Sequence, residues 1–184
     1  GDTIKALIRS VHFDKRLGIK IELTRTSPKF LEALLKAGVP EIKEGSVIIQ
    51  NSARIPGKKA KVAFFSTSPN VDAVGTAVGV KGVRINAVSK ELNGENIDAI
   101  EYSADPAIFV ARALSPARII SVKIEDKKAV VMIDAEQKSK AIGQAGINIR
   151  LASMLTGYEI ELTQSGGSEH KDNEEGLKNL KALF

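Results

Sequence analysis

The chain has 184 residues, 43% of them hydrophobic and 4% aromatic, with no Cys, no Trp and a formal charge of +5. This leaves room for two or three small domains with aliphatic cores, and it excludes disulfides, thiolate zinc sites and a Cys nucleophile. No apolar run approaches the roughly 18 residues of a membrane span, and no signal-peptide pattern opens the chain, so a cytoplasmic protein without a membrane partner is expected. His12 and His170 lie far apart, and no dense carboxylate cluster has ligand spacing, so neither a metal nor a cofactor is expected.

The charge is unevenly spread. Residues 1–61 carry thirteen Lys and Arg against six Asp and Glu, whereas residues 62–106 carry three against six. A basic sub-cluster, Arg54, Lys58, Lys59 and Lys61, fits a phosphate backbone, although a solvated basic face explains it equally well.

In chain order, residues 3–11 and 18–24 alternate apolar and polar residues as two half-buried strands, with His12 to Arg16 as their hairpin loop. Two strands make no independent core, so this segment reads as the end of a barrel or an arm packed on the next domain. Ser27-Pro28 starts a helix that buries Phe30, Leu31, Leu34 and Leu35, and Gly38 with Pro40 stops it. Strands come next at 47–49 and 61–65, joined by a basic turn at 54–59. A short helix at 71–78, the sequence GVKG at 79–82, a helix at 83–92 and a strand at 97–102 complete this stretch.

The order then repeats. Asp105-Pro106 opens a helix to Leu114, and strands are expected at 118–125 and 128–134. A helix at 136–142, the sequence GQAG at 143–146, a helix at 147–155 and a strand at 158–163 complete the unit. At an offset of 64 residues, VGVKGVRI (78–85) aligns with IGQAGINI (142–149), both glycines included.

Two glycines three apart between helices let backbone N–H groups approach a phosphodiester that a Cβ would hold away, and the next helix adds the positive end of its dipole. KH domains grip about four nucleotides of single-stranded RNA in this way. One GxxG alone more often marks a tight helix–helix turn, but the duplication inside matching strands and helices favours nucleic-acid binding. In the first copy Gly79, Val80, Lys81 and Gly82 form the candidate clamp, with Arg84 adding charge. In the second, Gly143, Gln144, Ala145 and Gly146 form it, with Asn148 and Arg150 as polar contacts from the next helix. Bases would lie against aliphatic side chains, with Val78, Val80, Val83, Ile85, Ile142, Ile147 and Ile149 as candidates. For Ile85 and Ile147 a core position is the better fit. The scarcity of aromatics argues against an RRM, which stacks bases on its sheet. No phosphate loop, H-E-x-x-H or G-x-S-x-G is present, so no catalytic residue is expected.

The segments 40–64 and 69–102 resemble the first KH domain of the NusA family of bacterial transcription factors. The segments 105–119 and 141–162 resemble its second, and residues 2–40 resemble the end of the OB-type barrel that precedes them, with its connecting helix. The fold that the resemblance implies is α+β. Two tandem type II KH domains (28–104 and 105–164) follow a truncated barrel end (1–27), and a flexible tail (165–184) comes last. It implies a monomeric elongation, termination and antitermination factor that acts on nascent single-stranded RNA, with RNA polymerase and other antitermination factors as partners. The family's polymerase-binding domain would lie outside this chain. Gln144 stands where the family usually has a basic residue, so weaker phosphate affinity is expected there. The alternative is a protein-interaction scaffold whose second unit has lost RNA binding. Ala73 stands where Pro is common.

Overall fold

The computed structural model describes residues 1–165, and the tail expectation, with its apolar Leu177, Leu180 and Phe184, falls outside them. The chain opens with a two-stranded antiparallel hairpin, β1 (Leu7–Asp14) and β2 (Gly18–Thr24). The hairpin loop is shorter than expected because β1 continues to Asp14. The Asp14 carboxylate accepts the N–H groups of Arg16 and Leu17 at 2.8 and 2.9 Å and closes the turn in three residues. These two bonds hold its carboxyl below the ordinary value. Val11, Phe13, Ile19 and Leu23 on this hairpin are exposed.

Helix α1 (Pro28–Gly38) begins as its sequence dictates: the Ser27 hydroxyl accepts from the Lys29 N–H and Pro28 takes the first turn. Such a cap is worth about 1 kcal/mol. Phe30, Leu31, Leu34 and Leu35 are buried, each contributing roughly 1.5–3 kcal/mol. A short helix, α2 (Pro40–Glu44), comes at once after it and was not expected. Pro40 read as a stop signal, but a proline in the first helical turn serves equally well as a start.

The first three-layered unit is completed by β3 (Val47–Ile55), β4 (Lys59–Ser66), α3 (Ala73–Val78), α4 (Val83–Glu91) and β5 (Asn96–Glu101). β3 and β4 are antiparallel, and β5 adds to β4 in parallel, from Lys59 opposite Asn96 to Phe64 opposite Glu101. A parallel neighbour needs a crossover, which α3 and α4 supply. The expected basic turn at 54–59 shrinks to Pro56–Lys58, because Arg54 and Ile55 lie in β3 and Lys59 opens β4.

The second unit repeats the plan with α5 (Pro106–Ala113), β6 (Ser121–Glu125), β7 (Lys128–Ile133), α6 (Ala135–Ile142), α7 (Ile147–Thr156) and β8 (Glu159–Gln164). β6–β7 is antiparallel and β7–β8 parallel, as in the first unit. Both units therefore have the α-β-β-α-α-β order of tandem KH domains in an α+β chain.

The units share a core. One cluster joins α1, α2 and α4 to one face of the first sheet. The other joins Ala53, Ala63 and Ile100, from the opposite face of that sheet, to Phe109, Val110, Leu114, Leu151 and Leu155 of the second unit. α7 lies across β3, where the Asn51 side-chain amide donates to the Leu155 carbonyl at 2.8 Å.

Candidate nucleic-acid interface

The two GxxG segments have one backbone conformation. Gly79 and Gly143 sit at φ 75° and 73°, and Gly82 and Gly146 at 76° and 72°. Between them Lys81 and Ala145 take φ 53° and 52°, a left-handed conformation uncommon for residues with a Cβ. The first glycine of each loop is required twice over, by its positive φ and by close approach. A Cβ on Gly79 would come to 2.9 Å from Arg84 Cγ, and one on Gly143 to 2.7 Å from Asn148 Cβ.

The hydrogen bonds show which amides are free. The N–H of Gly79 donates to Gly75, that of Gly82 to Gly79, and that of Val83 to Val80. Gly143, Gly146 and Ile147 repeat the pattern with Ser139, Gly143 and Gln144. The glycine amides are thus spent inside the loop. The N–H groups of Val80 and Lys81, and of Gln144 and Ala145, meet no acceptor among the described residues. All four of these residues are exposed, Val80 at 82%. The clamp amides belong to the two interior residues and not to the glycines, a distinction the GxxG pattern alone does not make.

Arg84 and Asn148, at equivalent positions, are placed differently from the sequence expectation. The Arg84 guanidinium donates to the Thr76 carbonyl at 2.8 Å and pairs with Glu41 on α2 at 3.0 Å, so its charge is compensated. Asn148 is 4% exposed, and its Nδ2 donates to the carbonyls of Leu114, Lys140 and Ala141 at 3.1, 3.3 and 3.0 Å. Its Oδ1 is buried without a partner. Thr76 and Lys140 are themselves equivalent, so in both copies this position braces the end of one helix to the start of the next across the loop. Arg150, by contrast, is exposed on α7.

Of the aliphatic candidates, Val80 and Val83 are exposed, Ile85 is in the first core, and Val78, Ile142, Ile147 and Ile149 are half-buried.

The basic sub-cluster is not a surface patch. Arg54 is buried, donating at 2.7 Å to each carboxylate oxygen of the buried Glu95, and also to the carbonyls of Arg25 and Ser27. Burial pushes the Glu95 carboxyl up, but the Arg54 bonds, the Gly57 N–H and the Arg54 charge outweigh it and leave the carboxyl below its ordinary value. Lys61 is fully buried between Asp98 at 2.7 Å and the Ser115 carbonyl at 2.9 Å. Burial lowers its pKa despite the bond and attraction to Asp98. Lys59 pairs with the same Asp98 at 2.8 Å. Only Lys58 of the four remains exposed.

Among the described residues no helix is long and apolar enough to cross a membrane, and no group of three metal-ligating side chains is found.

Comparison with known proteins agrees with this geometry. Residues 25–102 match the model of the NusA-like first KH domain, and residues 106–170 match that of the NusA-like second KH domain. The transcription termination/antitermination protein NusA of Helicobacter pylori is 46% identical, over all of this chain and 54% of that protein. That of Thermus thermophilus is 45% identical over 97% of this chain and 46% of that protein, and that of Bacillus subtilis 41% over 88% and 44%. The chain spans about half the length of the curated relatives it matches. The crystal structure of APE1850 superposes with a TM-score of 0.51 at 21% identity, covering 73% of this chain and 95% of that one, a likeness of fold. With its two units matched in order, and relatives of this identity along nearly its whole length, the chain belongs to the NusA family.

Proposed function

We propose that this chain binds single-stranded RNA through its two GxxG loops. In that reading it serves as the RNA-gripping part of a cytoplasmic transcription elongation, termination and antitermination factor that acts on nascent RNA at bacterial RNA polymerase. The observation that carries this is the duplicated loop backbone, with two unpaired, exposed N–H groups in each copy at the start of a helix. The relatives' names supply the transcriptional context. Within the loops, Val80, Lys81, Gln144 and Ala145 offer the amides, Lys81 and Arg150 add charge, and Arg84 and Asn148 hold the loops in shape.

Titration of a fluorescein-labelled random RNA of about ten nucleotides tests this, being long enough for two four-nucleotide grips and the step between them. Val80→Asp with Lys81→Asp removes the first grip without touching the core and weakens binding at least roughly tenfold, with a shallower salt dependence. Gln144→Asp with Ala145→Asp costs less, because no positive charge is lost. Parental affinity in the Val80/Lys81 variant rules the first grip out. A salt-insensitive protein contact with no RNA affinity in the parent supports the scaffold alternative.

A further inference from the structure

The second loop has no cation of its own, and the fold brings one to it from the other unit. A cavity of about 300 Å³ opens where the units meet. It is lined by Lys58, Lys59 and Asn96 of the first unit and by Gly143, Gln144 and Ile147 of the second. Lys59 faces Asn96 at the start of the parallel β4–β5 pairing and is committed to Asp98, as is Lys61. Lys58 is exposed and pairs with no carboxylate among the described residues.

The turn that presents Lys58 is pinned from below. Its own N–H donates to the Ile55 carbonyl at 3.1 Å, and its carbonyl accepts from Asn96 at 3.4 Å. The neighbouring Gly57 N–H donates at 2.7 Å to Glu95, which Arg54 holds in turn. A flexible ammonium on a fixed turn thus borders the loop whose interior, Gln144 and Ala145, offers amides without charge.

We propose that Lys58 supplies, from the first unit, the positive charge for the phosphate gripped by the second loop. The phosphodiester of an RNA strand passing between the units then lies between the N–H groups of Gln144 and Ala145 and the Lys58 ammonium. This rests on the RNA-binding reading above and gives the second grip a counter-cation that its own sequence lacks.

Anisotropy titrations with the same labelled RNA over a salt series test it, with thermal melts checking that each variant folds. Lys58→Gln weakens binding roughly three- to tenfold and makes the log–log salt slope shallower by about 0.7, the loss of one neutralised phosphate on a single strand. Lys58→Arg keeps the charge and binds as the parent does. Adding Ala145→Lys to Lys58→Gln restores both affinity and slope. If Lys58→Gln keeps the parental slope while the Val80/Lys81 double variant still loses RNA, Lys58 has no such role, although the loops do bind RNA. If Lys58→Arg fails as badly as Lys58→Gln, the charge is not what matters. If the Val80/Lys81 variant and Lys58→Gln both bind like the parent, RNA gripping by the loops falls as well.

Discussion

The two GxxG loops share a backbone to within a few degrees and differ in everything around it. The first has an exposed Lys81 at the left-handed position, and its brace, Arg84, is tied outward to Glu41 on α2. The second has Ala145 in that place and a brace, Asn148, turned inward onto three carbonyls. The first loop carries its own charge and the second leans on a neighbour. Duplication therefore preserved the part of the clamp that depends on backbone geometry. The part that depends on side-chain charge diverged, because a cation can be supplied from any element within reach.

The same contrast runs through the hairpins beneath the loops. The first is anchored by the buried Arg54–Glu95 pair, the second by exposed pairs such as Lys123 with Glu125 and Lys128 with Glu161. The largest expected effect breaks this asymmetry: Glu95→Gln leaves Arg54 buried without its counter-charge and lowers stability by about 3–5 kcal/mol, read as a fall in the denaturant midpoint. Removing either exposed pair costs under about 1 kcal/mol. The Glu95 carboxyl is held below its unfolded value, so its contribution is present above that value of 4.5 and is lost as pH falls through the lower folded value. Melting temperature against pH should show this acid loss in the parent. It should be flattened when Arg54→Met and Glu95→Leu replace the pair together.

Next in size is a difference between the loops' first glycines. Both Gly79→Ala and Gly143→Ala force a Cβ into positive φ, at a cost of about 1–2 kcal/mol. At Gly79 the obstacle is the flexible Arg84 chain, whereas at Gly143 it is the Cβ and backbone of Asn148. Thermal melts should show Gly143→Ala to be the more damaging, and equal losses would mean that the braces yield alike. The smallest effect sharpens the charge contrast. Ala145→Lys copies Lys81 residue for residue and should raise RNA affinity roughly two- to fivefold while steepening the salt slope by about 0.7.

Much of this was legible in the sequence because the signals are local. Ser27-Pro28, Asp105-Pro106 and the paired glycines fix helix ends and loops from neighbouring residues, and the 64-residue offset exposes the duplication. What was not legible depends on distant partners. Arg54 and Lys61 read as surface charge because Glu95 and Asp98 lie 41 and 37 residues away. Arg84 and Asn148 read as RNA contacts because their brace crosses the loop to a carbonyl eight residues back. Glu41 went unnoticed along with the helix that carries it, and Asn96 reaches the second loop only through the packing of one unit on the other.

The seating of α7 on the first sheet, with Ala53, Ala63 and Ile100 built into the neighbouring unit's interior, has a consequence for how such a molecule discriminates among transcripts. Two grips on one solid block act as a caliper, and only an RNA whose spacer spans the fixed gap engages both at once. A well-matched ligand gains the roughly 10²- to 10⁴-fold enhancement of bivalent attachment, and one with a shorter or folded spacer is held by half the protein. Length and openness of the transcript, as much as its bases, are then what this block measures.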